Sequence, residues 1–281
     1  MYPPVGPVLV EIGPFALRWY GVLMIVAFIV AAAIAANYVA RKGQNSSIVW
    51  DGLIWVLIGA VIGARLYYVF IQSPRGPNGI ERYLSNPITI LNITEGGLHI
   101  FGGFVGGAIA LWLFARQRNL PVAIYLDAVA LGMPLGQAIA RLGNFINQEL
   151  YGPPTTLPWG LRIDPERRIA PFDDLTRYPE STRFHPLFLY EALWNLAGFA
   201  LLNAIARRFA TQLRDGDLIL IYAIWYPLGR FFLEFLRTDS WFFPGTPFNA
   251  VHVLSVVAIT VAVVLLVRRH RVPASAASAQ A

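Results

Sequence analysis

Seven stretches of predominantly apolar sequence recur along the chain, at about 17–40, 50–71, 97–115, 121–142, 186–206, 217–236 and 248–267. Each approaches or exceeds the roughly 20 residues that an α-helix needs to cross a bilayer core. Lipid offers no partner to backbone N–H and C=O groups, so a spanning run of this length must close its hydrogen bonds internally as a helix. The expected architecture is therefore an all-α integral membrane protein with seven transmembrane helices and a small extramembrane head segment. Composition agrees: only 14% of the 281 residues are charged, against about 25% in soluble domains. The length suits one polytopic membrane domain over 1–271, followed by small and polar residues at 272–281 expected to be disordered.

Charge placement orients the spans. The connections after the first, third and fifth runs carry Arg41, Lys42, Arg116, Arg118, Arg207, Arg208 and Arg214, and the tail after the seventh carries Arg268, Arg269 and Arg271. Positive-inside counting puts these in the cytoplasm, with the N-terminus outside and the C-terminus inside. A cleaved signal peptide is the alternative for the first run, because alanines follow its apolar centre. The Arg41-Lys42 pair directly after the run instead suits a retained first span. The net charge of +6 is scattered over short loops with no long basic run, so it implies no nucleic-acid partner.

On the opposite side lie two connections. The 72–96 segment is rich in Pro, Gly and Asn and reads as an outer loop. The 150–185 segment is the longest polar stretch and the expected head; its Tyr151-Gly152-Pro153-Pro154 and Leu157-Pro158-Trp159-Gly160 runs suggest turns or short strands. No internal repeat is visible, which weighs against many transporter architectures. The chain has no cysteine. That excludes disulfides, thiolate metal sites and a cysteine nucleophile, so any thiol chemistry must use a substrate's thiol. No His-x-x-x-His or acidic cluster suggests a metal, and no cofactor is implied.

The unusual polar residues gather at one end of the spans. They are Arg18-Trp19-Tyr20, Arg65, Gly96-Gly97-Leu98-His99, the run Arg141 to Gly152, His185-Pro186, Tyr190-Glu191, and Tyr226, Arg230, Glu234 and Arg237. Tyr226, Arg230 and Glu234 share one helix stripe by their four-residue spacing. The bland reading neutralises Arg230 in place with Glu234. The functional reading makes Arg230 a fork for phosphate, with Glu234 orienting it or accepting a proton. A second arginine, Arg141, at the same depth with few evident acidic partners favours an anionic head group. His99 and His185 can equally be interfacial histidines bonded to backbone. Gly59 with Gly63, and Gly102 and Gly103 with Gly106 and Gly107, form small-x-x-x-small pairs expected to pack helices closely. Asp127, near the other end of its run, is expected to be structural.

The run Arg141-Leu142-Gly143-Asn144-Phe145-Ile146-Asn147-Gln148-Glu149-Leu150-Tyr151-Gly152 resembles the signature of the bacterial prolipoprotein diacylglyceryl transferases. Matching elements follow in the family's order: Arg18-Trp19-Tyr20-Gly21, the glycine pairs of 96–103, His185-Pro186 with Tyr190-Glu191, and Tyr226, Arg230, Glu234 and Arg237. The resemblance covers about residues 10–270. It implies an inner-membrane transferase that moves the diacylglyceryl group of phosphatidylglycerol onto the lipobox cysteine of a preprolipoprotein signal peptide, releasing glycerol 1-phosphate. It further implies that Arg141 holds the phosphatidylglycerol head group, that Asn144, Glu149 and Gly152 shape the site, and that Tyr20, Tyr226, Glu191, Arg230 and Glu234 complete it. Two positions depart from the family pattern. Ala140 stands where glycine is usual, and Phe101 stands where many members have histidine, with His99 two residues earlier.

Displacement at a glycerol carbon by a thiol needs cations for the departing phosphate and a base for the thiol. Arg141 and Arg230 suit the first role; Glu149, Glu234 and His99 are the candidates for the second. The competing classes are a transporter or flippase for an anionic lipid or solute, and a structural membrane subunit.

Overall fold

A computed structural model of the chain describes residues 1–13, 15–72, 79–92, 96–238, 240 and 242–271. The tail 272–281, and with it the expectation of disorder there, lies outside the described residues, as does much of the 72–96 connection. In chain order the helices are α1 (Trp19–Arg41), α2 (Ser47–Tyr67), the short α3 (Ile80–Ser85), α4 (Ile100–Gln117), α5 (Val122–Asn147), α6 (Leu187–Arg208), α7 (Asp217–Glu234) and α8 (Ala250–Arg271). Every apolar run thus becomes a helix. Among the described residues five of them, α1, α2 with its extension to Ile71, α5, α6 and α8, are long and apolar enough to cross a membrane. α4 and α7 have 18 residues each. At 1.5 Å per residue that is about 27 Å, just under the ~30 Å hydrocarbon core.

The all-α expectation needs correcting. β1 (Val8–Ile12) and β2 (Phe15–Arg18) form an antiparallel hairpin immediately before α1. Val8, Val10 and Ile12 alternate with other residues, and Gly13 turns the chain at φ +58°, a conformation glycine adopts without a Cβ clash. A second pair, β3 (Leu161–Arg162) with β4 (Arg183–Phe184), lies between α5 and α6.

The chain groups into two compact units, Met1–Ala35 with Leu126–Ala281, and Ala36–Tyr125. In the second unit α2 and α4 touch backbone to backbone. A Cβ on Gly63 would lie 2.3 Å from the Gly102 carbonyl oxygen, and one on Gly106 would lie 2.2 Å from that of Gly59. The small-x-x-x-small pairs are therefore packing devices. Arg65 is buried beside them and donates to five backbone carbonyls, those of Thr89, Ile90, Asn92, Gly96 and Gly97. One guanidinium thus gathers a loop through its fork of N–H groups.

The first unit holds α5 to α8. α5 runs unbroken through Pro134. Asp127, near its start, accepts N–H bonds from Gly216 (2.7 Å) and Ile219 (2.9 Å) and so caps the first turn of α7 from outside. Asp217 at that turn meets Arg269 (3.2 Å) and His270 (2.8 Å) in the last turn of α8. Between α5 and α6, Tyr151, Leu161, Ile163, Phe172 and Phe184 form a small apolar cluster with Phe188 of α6. Arg168 ties the same segment by donating to the carbonyls of Ile163, Tyr178, Pro179 and Glu180. This cluster joins the 150–185 segment to α6 through Phe188, and Phe145 of α5 and Met1 pack against it.

Candidate active site

Three helices bring three charged side chains to one point. The last two turns of α5 carry Arg141, the start of α6 carries Glu191, and the last two turns of α7 carry Arg230. Glu191 forms an ion pair with Arg141 Nη2 at 2.5 Å through Oε2 and accepts from Arg230 Nη1 through Oε1. A single carboxylate thus bridges two guanidiniums. Arg230 extends the chain of charge by donating from Nη2 to Glu234 Oε2, one turn further along α7, at 2.6 Å. Arg141 extends it the other way, from Nη1 to Asn144 Oδ1 at 3.0 Å, and Asn144 Nδ2 then donates to Glu149 Oε1 at 2.8 Å. One chain of ion pairs and hydrogen bonds therefore joins Glu149, Asn144, Arg141, Glu191, Arg230 and Glu234.

The arginines are not short of acidic partners, which corrects the sequence reading. Arg141 and Arg230 are matched by Glu191, Glu234 and, through Asn144, Glu149. The physical reason is that charges inside a membrane protein are tolerated only when locally paired. Glu191, a neighbour in space but 39 residues away from Arg230, supplies the pairing that the local i, i+4 stripe could not reveal. Donors remain free even so. A guanidinium has five N–H groups, and Arg141 Nε is buried without an acceptor among the described residues.

Glu149 is held differently from the other carboxylates. It is exposed, and its Oε1 accepts from Asn144 and from Asn147 (3.2 Å), while Oε2 has no partner among the described residues. The backbone on both sides is left-handed: Gln148 has φ +56° and Leu150 has φ +59°. Such residues cost of order 1–3 kcal/mol and persist where the surroundings impose them. The imposing contact is a pair of hydrogen bonds made by the Gln148 side-chain amide. Gln148 Nε2 donates to Asp164 Oδ2 at 2.6 Å, and the Asp164 N–H returns a bond to Gln148 Oε1 at 2.7 Å. The folded segment between α5 and α6 thereby fixes the turn that presents Glu149.

Glu234 is saturated. Besides Arg230 on Oε2, its Oε1 accepts from Ser240 Oγ at 2.5 Å and Asn249 Nδ2 at 2.8 Å. With both oxygens occupied it is built to orient Arg230; of these carboxylates, Glu149 is the one left with an open oxygen. Sequence reasoning missed Ser240, Asn249 and, beside them, His252. Their only sequence signal is an asparagine at the start of an apolar run, a helix-cap position.

The remaining expected residues divide between the two units. Tyr20 packs on Gly143, where a Cβ would fall 2.6 Å from its ring. Tyr226 stacks on Tyr222 at 5.7 Å between centroids, and Tyr222 bonds Gln137 of α5 at 3.1 Å. Gly152 donates to the His185 carbonyl at 2.8 Å, and a Cβ there would lie 2.8 Å from the Leu236 carbonyl oxygen. Its role is thus to let three chain segments meet. His185 Nδ1 lies 3.1 Å from the Tyr190 hydroxyl, which also accepts from Trp159. His99 belongs to the other unit. It precedes α4, accepts the Phe101 N–H as that helix's N-cap, and stacks on Tyr67 at 4.6 Å. His99 and Phe101 therefore do not share one helix: the chain is extended at His99, after Gly96 and Gly97 at φ +83° and +77°, and helical only from Ile100.

Comparison with known proteins adds independent observations. The family model of the prolipoprotein diacylglyceryl transferases matches residues 7–268. A phosphatidylglycerol-prolipoprotein diacylglyceryl transferase of Chloroflexus aggregans is 39% identical over 290 residues, covering 97% of this chain and 93% of the relative. Proteins of the same name from Synechococcus elongatus and Bifidobacterium adolescentis are 42% and 37% identical, covering 84% and 89% of this chain and 78% and 76% of the relatives.

Proposed function

The chain belongs to the prolipoprotein diacylglyceryl transferase family, and we propose that it catalyses that family's transfer. The diacylglyceryl group of phosphatidylglycerol passes to the thiol of a lipobox cysteine in a preprolipoprotein, and glycerol 1-phosphate leaves. The observation that carries the site assignment is the gathering of Arg141 and Arg230 on the one carboxylate of Glu191, with Arg141 Nε unpaired.

The reaction forms a sulfur–carbon bond at the glycerol carbon and breaks that carbon's bond to the phosphate oxygen. The thiol proton goes to a base, and the phosphodiester becomes a monoester with one more negative charge. Arg141 and Arg230 supply donors where that charge develops, which is where fixed dipoles and cations accelerate most. A phosphate arriving there competes with Glu191 for the two forks, so the same geometry that neutralises the arginines holds them ready. Glu149, with its open oxygen, takes the thiol proton, and the arginines favour the thiolate over the thiol. Tyr20 and Tyr226 complete the walls around the head group, and Gly152 sets the approach of the segment between α5 and α6.

The chain crosses the bacterial inner membrane seven times, with α4 and α7 as the shortest spans. Its N-terminus lies outside, its C-terminus lies in the cytoplasm, and the 150–185 segment faces the periplasm where signal peptides emerge. The placement of arginines after α1, α4, α6 and α8 supports this orientation.

The test is transfer itself. The purified protein is placed in vesicles whose phosphatidylglycerol is labelled in the diacylglyceryl glycerol, together with a synthetic lipobox peptide. Label should appear on the cysteine as a thioether, with one glycerol phosphate released per peptide. Movement of the lipid between leaflets with no label on the peptide would favour the transporter reading.

A further inference from the structure

Asn249 immediately precedes α8 and faces two ways. Its Oδ1 accepts the N–H groups of Val251 at 2.9 Å and His252 at 3.2 Å, the bonds of an N-cap. Those bonds fix which end of the amide is which, so the nitrogen points the other way, to Glu234 Oε1 at 2.8 Å. Both residues are buried, at 3% and 1% exposure. Behind the amide, His252 lies with Nδ1 3.0 Å from Asn249 Oδ1 and 3.1 Å from its backbone nitrogen. The rings of Phe231, Phe235 and Phe248 surround that imidazole at 4.4–5.4 Å between centroids. The amide is therefore clamped between a helix end, a caged histidine and a carboxylate.

We infer that Asn249 is a positioning residue for the transfer: by holding Glu234 through Oε1, it keeps Oε2 turned to Arg230 and so aims that guanidinium. The inference rests on the proposed placement of the phosphate at Arg230. The alternative is that Asn249 only caps α8. The two differ in kinetics. The leaving phosphate gains a negative charge as the carbon–oxygen bond breaks, so a misaimed Arg230 costs more in the transition state than in the bound lipid. Loss of the tether should lower kcat and leave KM for phosphatidylglycerol nearly unchanged.

Asn249→Ser separates the roles, because serine caps helices about as well as asparagine but has no amide to give Glu234. Removing a hydrogen bond to a charged group corresponds to roughly a ten- to hundredfold change, so kcat should fall by at least about tenfold. Asn249→Asp keeps the capping oxygen but sets a carboxylate against Glu234, and should fall further. Melting in detergent reports on the fold; if the serine variant melts early, the aspartate variant carries the test. Glu234→Gln is measured beside them. Normal kcat in the folded Asn249 variants, with Glu234→Gln impaired, overturns the positioning role and leaves the site assignment standing. Normal kcat in all of them overturns the site assignment as well.

Discussion

Trp194 and Trp225 exchange hydrogen bonds across α6 and α7. The Trp194 indole donates to the Trp225 carbonyl at 3.0 Å, and the Trp225 indole donates to the Trp194 carbonyl at 3.1 Å, with the rings stacked at 4.3 Å. Each indole lies over a glycine of the facing helix, Gly229 under Trp194 and Gly198 under Trp225. The same Trp-x-x-x-Gly spacing therefore occurs on both helices; Trp194 lies one turn from Glu191, and Gly229 directly precedes Arg230.

A methyl group at either glycine has no room. A Cβ on Gly229 would lie 2.2 Å from the Trp194 indole nitrogen, and one on Gly198 would lie 2.4 Å from that of Trp225. Gly229→Ala should destabilise the protein by about 1–3 kcal/mol, the usual cost of overpacking, and reduce transfer by displacing Arg230 beside it. Thermal melting and transfer rate measured together check this; an alanine variant with unaltered melting and rate would show that the lock yields without consequence.

The turn at Gln148 can be tested through its backbone. Gln148→Ala loses both bonds to Asp164 yet keeps the cost of positive φ, whereas Gln148→Gly loses the bonds and sheds that cost. The glycine variant should be more stable than the alanine variant by about 1 kcal/mol, with both below the parent in transfer. Equal stability of the two, read by melting, would mean that the left-handed backbone does not bear on this turn.

The helices were legible because bilayer crossing leaves a long unbroken apolar run, and α4 and α7 were legible despite being only 18 residues long. The hairpin of β1 and β2 was not, since five alternating residues beside a span merge into its apolar flank. In the site, the residues themselves could be named from their motifs, but their pairing could not. Arg141, Glu191 and Arg230 come from three helices, and only folding shows that one carboxylate serves both arginines. Arg65 shows the converse: an arginine at the end of an apolar run looks functional in sequence, yet five carbonyls occupy it.

Arg230→Lys should not be conservative. Arg230 reaches Glu191 and Glu234 with separate nitrogens of one planar fork, and an ammonium is a single point charge. Transfer should fall by more than tenfold, about 1.4 kcal/mol on the barrier. Turnover within about twofold of the parent, roughly 0.4 kcal/mol, would make the fork geometry irrelevant.

His99 is expected to serve α4 rather than the thiol. His99→Ser keeps an N-cap oxygen and removes the imidazole, so transfer should change by less than about tenfold with an unchanged pH profile. General-base help is typically worth 10²–10⁴ in rate. A loss of a hundredfold or more in a normally melting protein would instead assign His99 to the base.

The most direct test of the account is the transfer rate of Arg141→Ala, measured on protein shown to be membrane-inserted and to melt as the parent does. Arg141 joins Glu191 to Asn144 and carries the unpaired Nε, so its removal takes away the open donor and leaves Glu191 with one partner. Loss of a donor aimed at developing negative charge commonly costs 10²–10³ in rate, and a fall of at least a hundredfold in diacylglyceryl transfer from phosphatidylglycerol is expected. Near-normal turnover in that variant would contradict the placement of the phosphate between Arg141 and Arg230.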